Sequence, residues 1–176
     1  MDKPTLPELT IEKLCHVANW AADCAERALP VFEARAPNDA RPHQAIYAAR
    51  AFARSGVRTA DLRNFAWGAQ SAAKDVQDPA AAAAARAAST AAATAYTHPI
   101  ATSHQTNHIL SSAAYAAHAR ALSAGDEPGA SDAEIRWAIG RASPEIRQLV
   151  QQFPTRAPSK GRFHTLLYRL DTGLRS

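Results

Sequence analysis

Four of the seven histidines, His98, His104, His108 and His118, fall in one stretch without Lys, Arg, Asp or Glu between Arg86 and Arg120. From His104 the order is His104, His108, Ser111, Tyr115, His118, at intervals of four, three, four and three. On a helix those intervals place all five on one stripe. Neutral imidazole both donates and accepts hydrogen bonds, so such a stripe carries polar function without burying a fixed charge. Three readings follow. The histidines are hydrogen-bonded core groups, or they line a ligand pocket, or they hold a metal. In the pocket reading His104, His108 and Tyr115 are the candidate catalytic groups for proton transfer, with His98, Ser111 and His118 as ligand-binding groups.

The metal reading needs more than the chain offers. A His-x3-His pair chelates a divalent ion from one helix face, but a site generally requires a third protein ligand. His98, Asp23 and Glu26 are the candidates, and no local spacing fixes any of them. Position 105 is Gln, so no H-E-x-x-H motif is present. Neither a metal nor another cofactor is expected. The chain also lacks a phosphate-binding glycine loop, a dinucleotide fingerprint and a serine nucleophile elbow.

A second group lies near the start. Trp20, Asp23, Glu26 and Arg50 are candidate ligand-binding side chains, with anion binding the functional role for the arginine. The structural alternative pairs Arg41, Arg50 and Arg54 with Asp23, Glu26 or Asp39, and packs Trp20 against Cys24 in the core. Cys15 and Cys24 are nine residues apart on one predicted helix. That spacing sets them on opposite faces, so they cannot bridge each other. Two unpaired cysteines point to a reducing, cytoplasmic setting.

The elements that must position these residues are helical throughout. Thr10 caps a first helix to about Leu29, where Pro30 kinks or ends it. Pro37-Asn38-Asp39 turns the chain into a second helix, which closes at Ser55-Gly56. Thr59 caps a third, through Val76. Asp78-Pro79 opens a fourth, through the Ala80 to Ala85 run to about Thr97. His98-Pro99 breaks the chain, and a fifth helix covers about Ala101 to Ser123. Ser131-Asp132-Ala133-Glu134 has capping-box spacing for a sixth. Ser143-Pro144-Glu145 starts a short seventh. Residues 154–161 read as a linker. A last amphipathic segment carries Phe163, Leu166, Leu167 and Leu170 on one side.

Composition agrees. Alanine supplies 43 of 176 residues, and aromatic residues only 7%. The expected fold is all-α: a compact bundle or array of about six to seven helices around an Ala-rich central helical hairpin. A surface helix normally has a charged face, so the charge-free stretch between Arg86 and Arg120 places the fourth and fifth helices at the centre. The expected domains are an Ala-rich helical body over residues 1–153 and a basic linker and amphipathic segment over 154–176. The body holds 15 basic and 15 acidic residues, and the tail five basic and one acidic, so the net +4 belongs to the tail. Five charges are few for nucleic-acid binding, and nucleic acid is not an expected partner. The apolar face of the tail is expected to dock on the bundle or on a second subunit of a homodimer. Neither a secretory h-region in Met1 to Thr10 nor a membrane span is expected.

Two stretches resemble a known family. One runs from Trp20 through Asp23, Glu26, Arg27 and Pro30 to Phe32-Glu33, Asp39-Ala-Arg-Pro42 and Ala48 to Arg54. The other is the alanine-rich helix followed by Ala101-Thr-Ser-His104, His108-Ile-Leu and Ala113-Ala-Tyr115-Ala-Ala-His118. Together, over roughly residues 19–153, they are similar to a bacterial family of small Ala-rich helical proteins classed as putative immunity proteins (immunity-five-like). The resemblance implies an all-helical fold and neutralisation of a cognate protein toxin by direct binding. It brings no catalytic residues with it. The alternative is a cofactor-independent enzyme or small-molecule binder of specialised metabolism, using the His/Tyr lining for proton transfer, isomerisation or cyclisation.

Overall fold

A computed structural model describes residues 5–176. Residues 1–4, which begin the polar N-terminal stretch read above, lie outside the described residues. The order is α1 (Ile11–Glu33), α2 (Arg41–Ser55), α3 (Ala60–Asp75), α4 (Pro79–Ala93), α5 (Thr106–Ser123), α6 (Pro128–Arg141), α7 (Pro144–Gln151) and α8 (Arg162–Arg175). Single 3-10 turns at Thr94–Tyr96 and Ser103–Gln105 flank the loop between α4 and α5. Among the described residues there is no strand, and no helix is long and apolar enough to cross a membrane.

The caps explain most boundaries. Thr10, Thr59 and Asp78 each accept a bond from the backbone N–H three residues on, which satisfies one of the free donors of a helix start. Gly56 closes α2 at φ +67°, a left-handed conformation that favours glycine. Pro30 does not end α1. It lies in the last turn, where the missing N–H removes a single bond, and the Ala34 N–H still reaches the Pro30 carbonyl at 3.0 Å.

Two starts differ from the sequence expectation. α5 begins at Thr106, and His104 sits in the 3-10 turn before it. α6 begins at Pro128, so Ser131 lies inside the helix and donates to the Pro128 carbonyl at 2.9 Å. Proline at the first helical position outcompeted the capping-box spacing three residues later.

α4 is the axis of the molecule: α1, α2, α3 and α5 all pack on it. Eleven of its fifteen residues are buried, nearly all of them alanine, and small side chains let four neighbours approach at once. Two serines lock this core through backbone carbonyls. Ser89 of α4 donates to Ala66 of α3 at 2.8 Å. The Ser112 hydroxyl of α5 lies 2.9 Å from the Ala21 carbonyl of α1 and 2.8 Å from the Ala87 carbonyl of α4. Its one hydrogen serves a junction of three helices. α6 and α8 close the open side of α5, α7 packs on α8 and α1, and α8 buries Leu166, Leu167, Leu170 and Leu174. Gly173 makes the close approach to α6, since a Cβ would stand 2.3 Å from Ile139 Cδ1.

Candidate functional site

The α5 stripe runs along the outer side of the hairpin, and the structure divides it in two. At the start, His104 and His108 are both exposed, with ring centroids 6.4 Å apart and planes at 87°. Asn107 Nδ2 lies 3.3 Å from His104 Nδ1. His98, on the preceding loop, is also exposed. Partial desolvation holds the His108 pKa below the usual imidazole value, and the nearby His104 and His98 push the same way.

At the other end, α8 lies over the stripe. Tyr115 stacks on Phe163 with centroids 4.3 Å apart and a 30° interplanar angle. Ser111 is buried. His118 is half-buried, and among the described residues its Nδ1 has no hydrogen-bond partner. Burial lowers the His118 pKa, Arg162 and Arg86 add to that, and Asp126 opposes them. The space between α4 and α5, where the pocket reading placed these groups, holds Ala113, Ala114, Ala117 and Ser112 against the alanine helix. Tyr115 is thus separated from the exposed imidazole pair by the length of the stripe and by α8.

The second group converges. Trp20 is buried, and its indole Nε1 donates to the Ala138 carbonyl at 2.9 Å. That bond ties α1 to α6 and fixes the register of the surface above it. There Asp23 accepts from Arg50 at 2.8 Å and from Arg141 at 3.2 Å, and Arg50 reaches Glu26 with its other nitrogen. Burial works against the Arg50 charge, but its pairs with Asp23 and Glu26 prevail and raise its pKa. One turn on, Arg27 grips Glu134 with two bonds of 2.8 and 2.9 Å and lies 4.2 Å from the Trp137 ring centroid. The hydrogen bond to Glu134 raises the Arg27 pKa. Glu134 is only 6% exposed, and Arg120 lies 3.4 Å away on its other side. Asp23, Glu26, Arg27, Trp137 and Arg141 line a shallow cleft of about 240 Å³.

Sequence reasoning missed Arg27, Glu134, Trp137 and Arg141 as members of this surface. Glu134, Trp137 and Arg141 stand at intervals of three and four, one face of α6, which is the signal that was available. What no local pattern gave is that α6 crosses beside α1.

A larger cleft of about 550 Å³ lies between the start of α1 and the end of α2, lined by Ile11, Glu12, Cys15, His16, Asn19 and Arg54 among others. The Cys15 thiol lies 3.5 Å from the Phe52 carbonyl, and desolvation raises its pKa. Burial also raises that of Cys24, far above the usual thiol range. Both thiols are unbridged and neither is activated as a thiolate. Among the described residues, no three or more His, Cys, Asp or Glu side chains are grouped to hold a metal ion.

On the α1–α6 surface acids and arginines pair across helices. Charges of both signs are held by mutual pairing on rigid helices, with one partly exposed indole beside an arginine. Tryptophan and arginine are the residue types that dominate binding energy in protein interfaces. A family model described as Imm-5 like putative immunity protein matches residues 9–145. No curated protein and no solved structure matches the chain.

Proposed function

The chain belongs to the Imm-5 like putative immunity protein family, and from that premise we propose that it neutralises a cognate protein toxin inside the cell by direct binding. The observation that carries the reading is the α1–α6 surface, which lies wholly within the matched residues. Asp23, Glu26, Arg27, Arg50 and Arg141 are already fixed by their pairs, so binding costs little further ordering of long side chains. Mixed charges arranged in a fixed pattern set register and select against wrong partners. Trp137 supplies the apolar anchor in their midst. The two unbridged thiols suit a reducing compartment.

The test takes the products of the genes that flank this one, each produced in a heterologous host, and asks whether one is toxic without the full chain and harmless with it. Co-production is expected to restore growth, and the purified pair to form a complex. Trp137→Ala and Arg141→Glu, each on the surface, are expected to weaken the complex by about 30-fold or more, in line with ~2 kcal/mol for a hot-spot side chain. Absence of rescue by the wild-type chain, or affinity unmoved by both variants, would overturn the reading.

A further inference from the structure

Most arginines of this chain have found an acid. Arg27, Arg41, Arg50, Arg141, Arg162 and Arg175 each hold a carboxylate within ion-pair distance. Arg58 and Arg63 do not, among the described residues, and they converge on one side chain. The Arg63 guanidinium carbon lies 4.7 Å from the Tyr96 ring centroid, and that of Arg58 lies 5.9 Å from the same centroid. Arg58 is held there by a 2.7 Å bond from its Nε to the Ala95 carbonyl. That bond occupies the Nε and leaves the two terminal nitrogens of the fork for another partner. Tyr96 is half-buried against the core, so the ring that both cations approach is held in place.

These groups line an open cleft of about 390 Å³ together with Thr59, Ala60 and Asn64; among the described residues no acidic side chain lines it, and Asp61 in the first turn of α3 is outside the lining. Two guanidiniums sharing one ring repel each other, and the ring quadrupole offsets only part of that repulsion. An anion between them removes it. Asn64 adds an amide donor at the rim. That is more donor capacity than a two-oxygen carboxylate uses, and it matches the three terminal oxygens of a phosphoryl group.

We propose that the Arg58/Arg63/Asn64 cleft over Tyr96 binds a small phosphorylated ligand through its dianionic phosphoryl group. The site lies at the junction of the α2–α3 and α4–α5 connections, apart from the α1–α6 surface and independent of the toxin reading.

The experiment is a two-dimensional NMR titration of the full chain with inorganic phosphate, with succinate as the carboxylate arm and sodium chloride at matched ionic strength. Phosphate is expected to give saturable shifts confined to residues 58–64 and 95–97. Arg63→Gln is expected to weaken phosphate binding by about tenfold or more, the loss of one charge-assisted contact. Arg136→Gln removes an equal charge from an exposed position on α6 and is expected to leave the affinity unchanged. Shifts that follow ionic strength alone, or that are the same in Arg63→Gln, would overturn the proposal. Tighter saturation by succinate than by phosphate would overturn the phosphoryl assignment.

Discussion

The half of α4 beyond Arg86 and the first turn of α5 share one property in the sequence, the absence of fixed charge, and have opposite fates in the fold. α4 is enclosed by α1, α2, α3 and α5. The turn that begins α5 and the 3-10 turn before it leave His104 and His108 in solvent. Missing charge marked burial only where the remaining side chains were also small and apolar. At the start of α5, uncharged polar residues (His104, Gln105, Asn107, His108) do the work that Lys and Glu do on other surface helices. A charge-free stretch therefore mixes two populations, and side-chain size separates them.

Three changes would break or sharpen that contrast. Ala84→Leu enlarges a fully buried position on α4, where no neighbour has room to give. It is expected to destabilise by about 2–3 kcal/mol, the usual cost of overpacking, read from urea unfolding. A neutral result would mean that the alanine axis is loosely packed. Ser112→Ala removes the hydroxyl shared by the Ala21 and Ala87 carbonyls. Helix bonds still serve those carbonyls, so the expected loss is about 1 kcal/mol in the same assay. The smallest effect belongs to the exposed end. His104→Ala with His108→Ala is expected to change stability by no more than about 0.5 kcal/mol at neutral pH.

The two halves of the stripe also have a pH signature, carried by His108 and His118. The folded His108 pKa lies below its unfolded value, as does that of His118. The stability tied to the neutral rings is complete above the unfolded value. It is lost as pH falls through the folded values, because the unfolded chain then binds more protons. His118→Gln is expected to flatten this acid-side loss more than His108→Gln, because α8 covers His118 and water screens His108. Equal flattening by both would erase the distinction between the covered and open halves of the stripe.

Much of the fold was legible. Thr10, Thr59, Asp78-Pro79, Ser55-Gly56 and Ser143-Pro144 mark ends by local chemistry, and local chemistry survives folding. Pro30 left open a kink, an end or a further turn over Val31 to Ala36, and the helix runs on to Glu33, since proline costs least in a last turn. The capping-box spacing at Ser131 lost to Pro128, a competition that spacing alone does not rank. The site was less legible. Asp23, Glu26 and Arg50 were found because α1 and α2 are consecutive and antiparallel. Arg27, Glu134, Trp137 and Arg141 were not found, because their meeting depends on a long-range crossing anchored by buried Trp20. The histidine periodicity was real, but the axis it should be measured from begins at Thr106, two residues after His104.

The C-terminal segment holds all of the formal net charge, yet it keeps little of it available. Arg162 pairs with Asp126, Arg169 with Asp132 and Arg175 with Asp171. Arg156 is drawn inward to the Ser103 carbonyl, Thr106 and Asn107, where burial lowers its pKa. Two of the three carboxylates that quench this segment belong to the body, so α8 works as a counter-ion folded onto its own protein. Cutting the chain before it would subtract a basic peptide and at the same stroke unmask Asp126 and Asp132. The field over that side would then become more negative, and any partner approaching it would meet a different electrical surface.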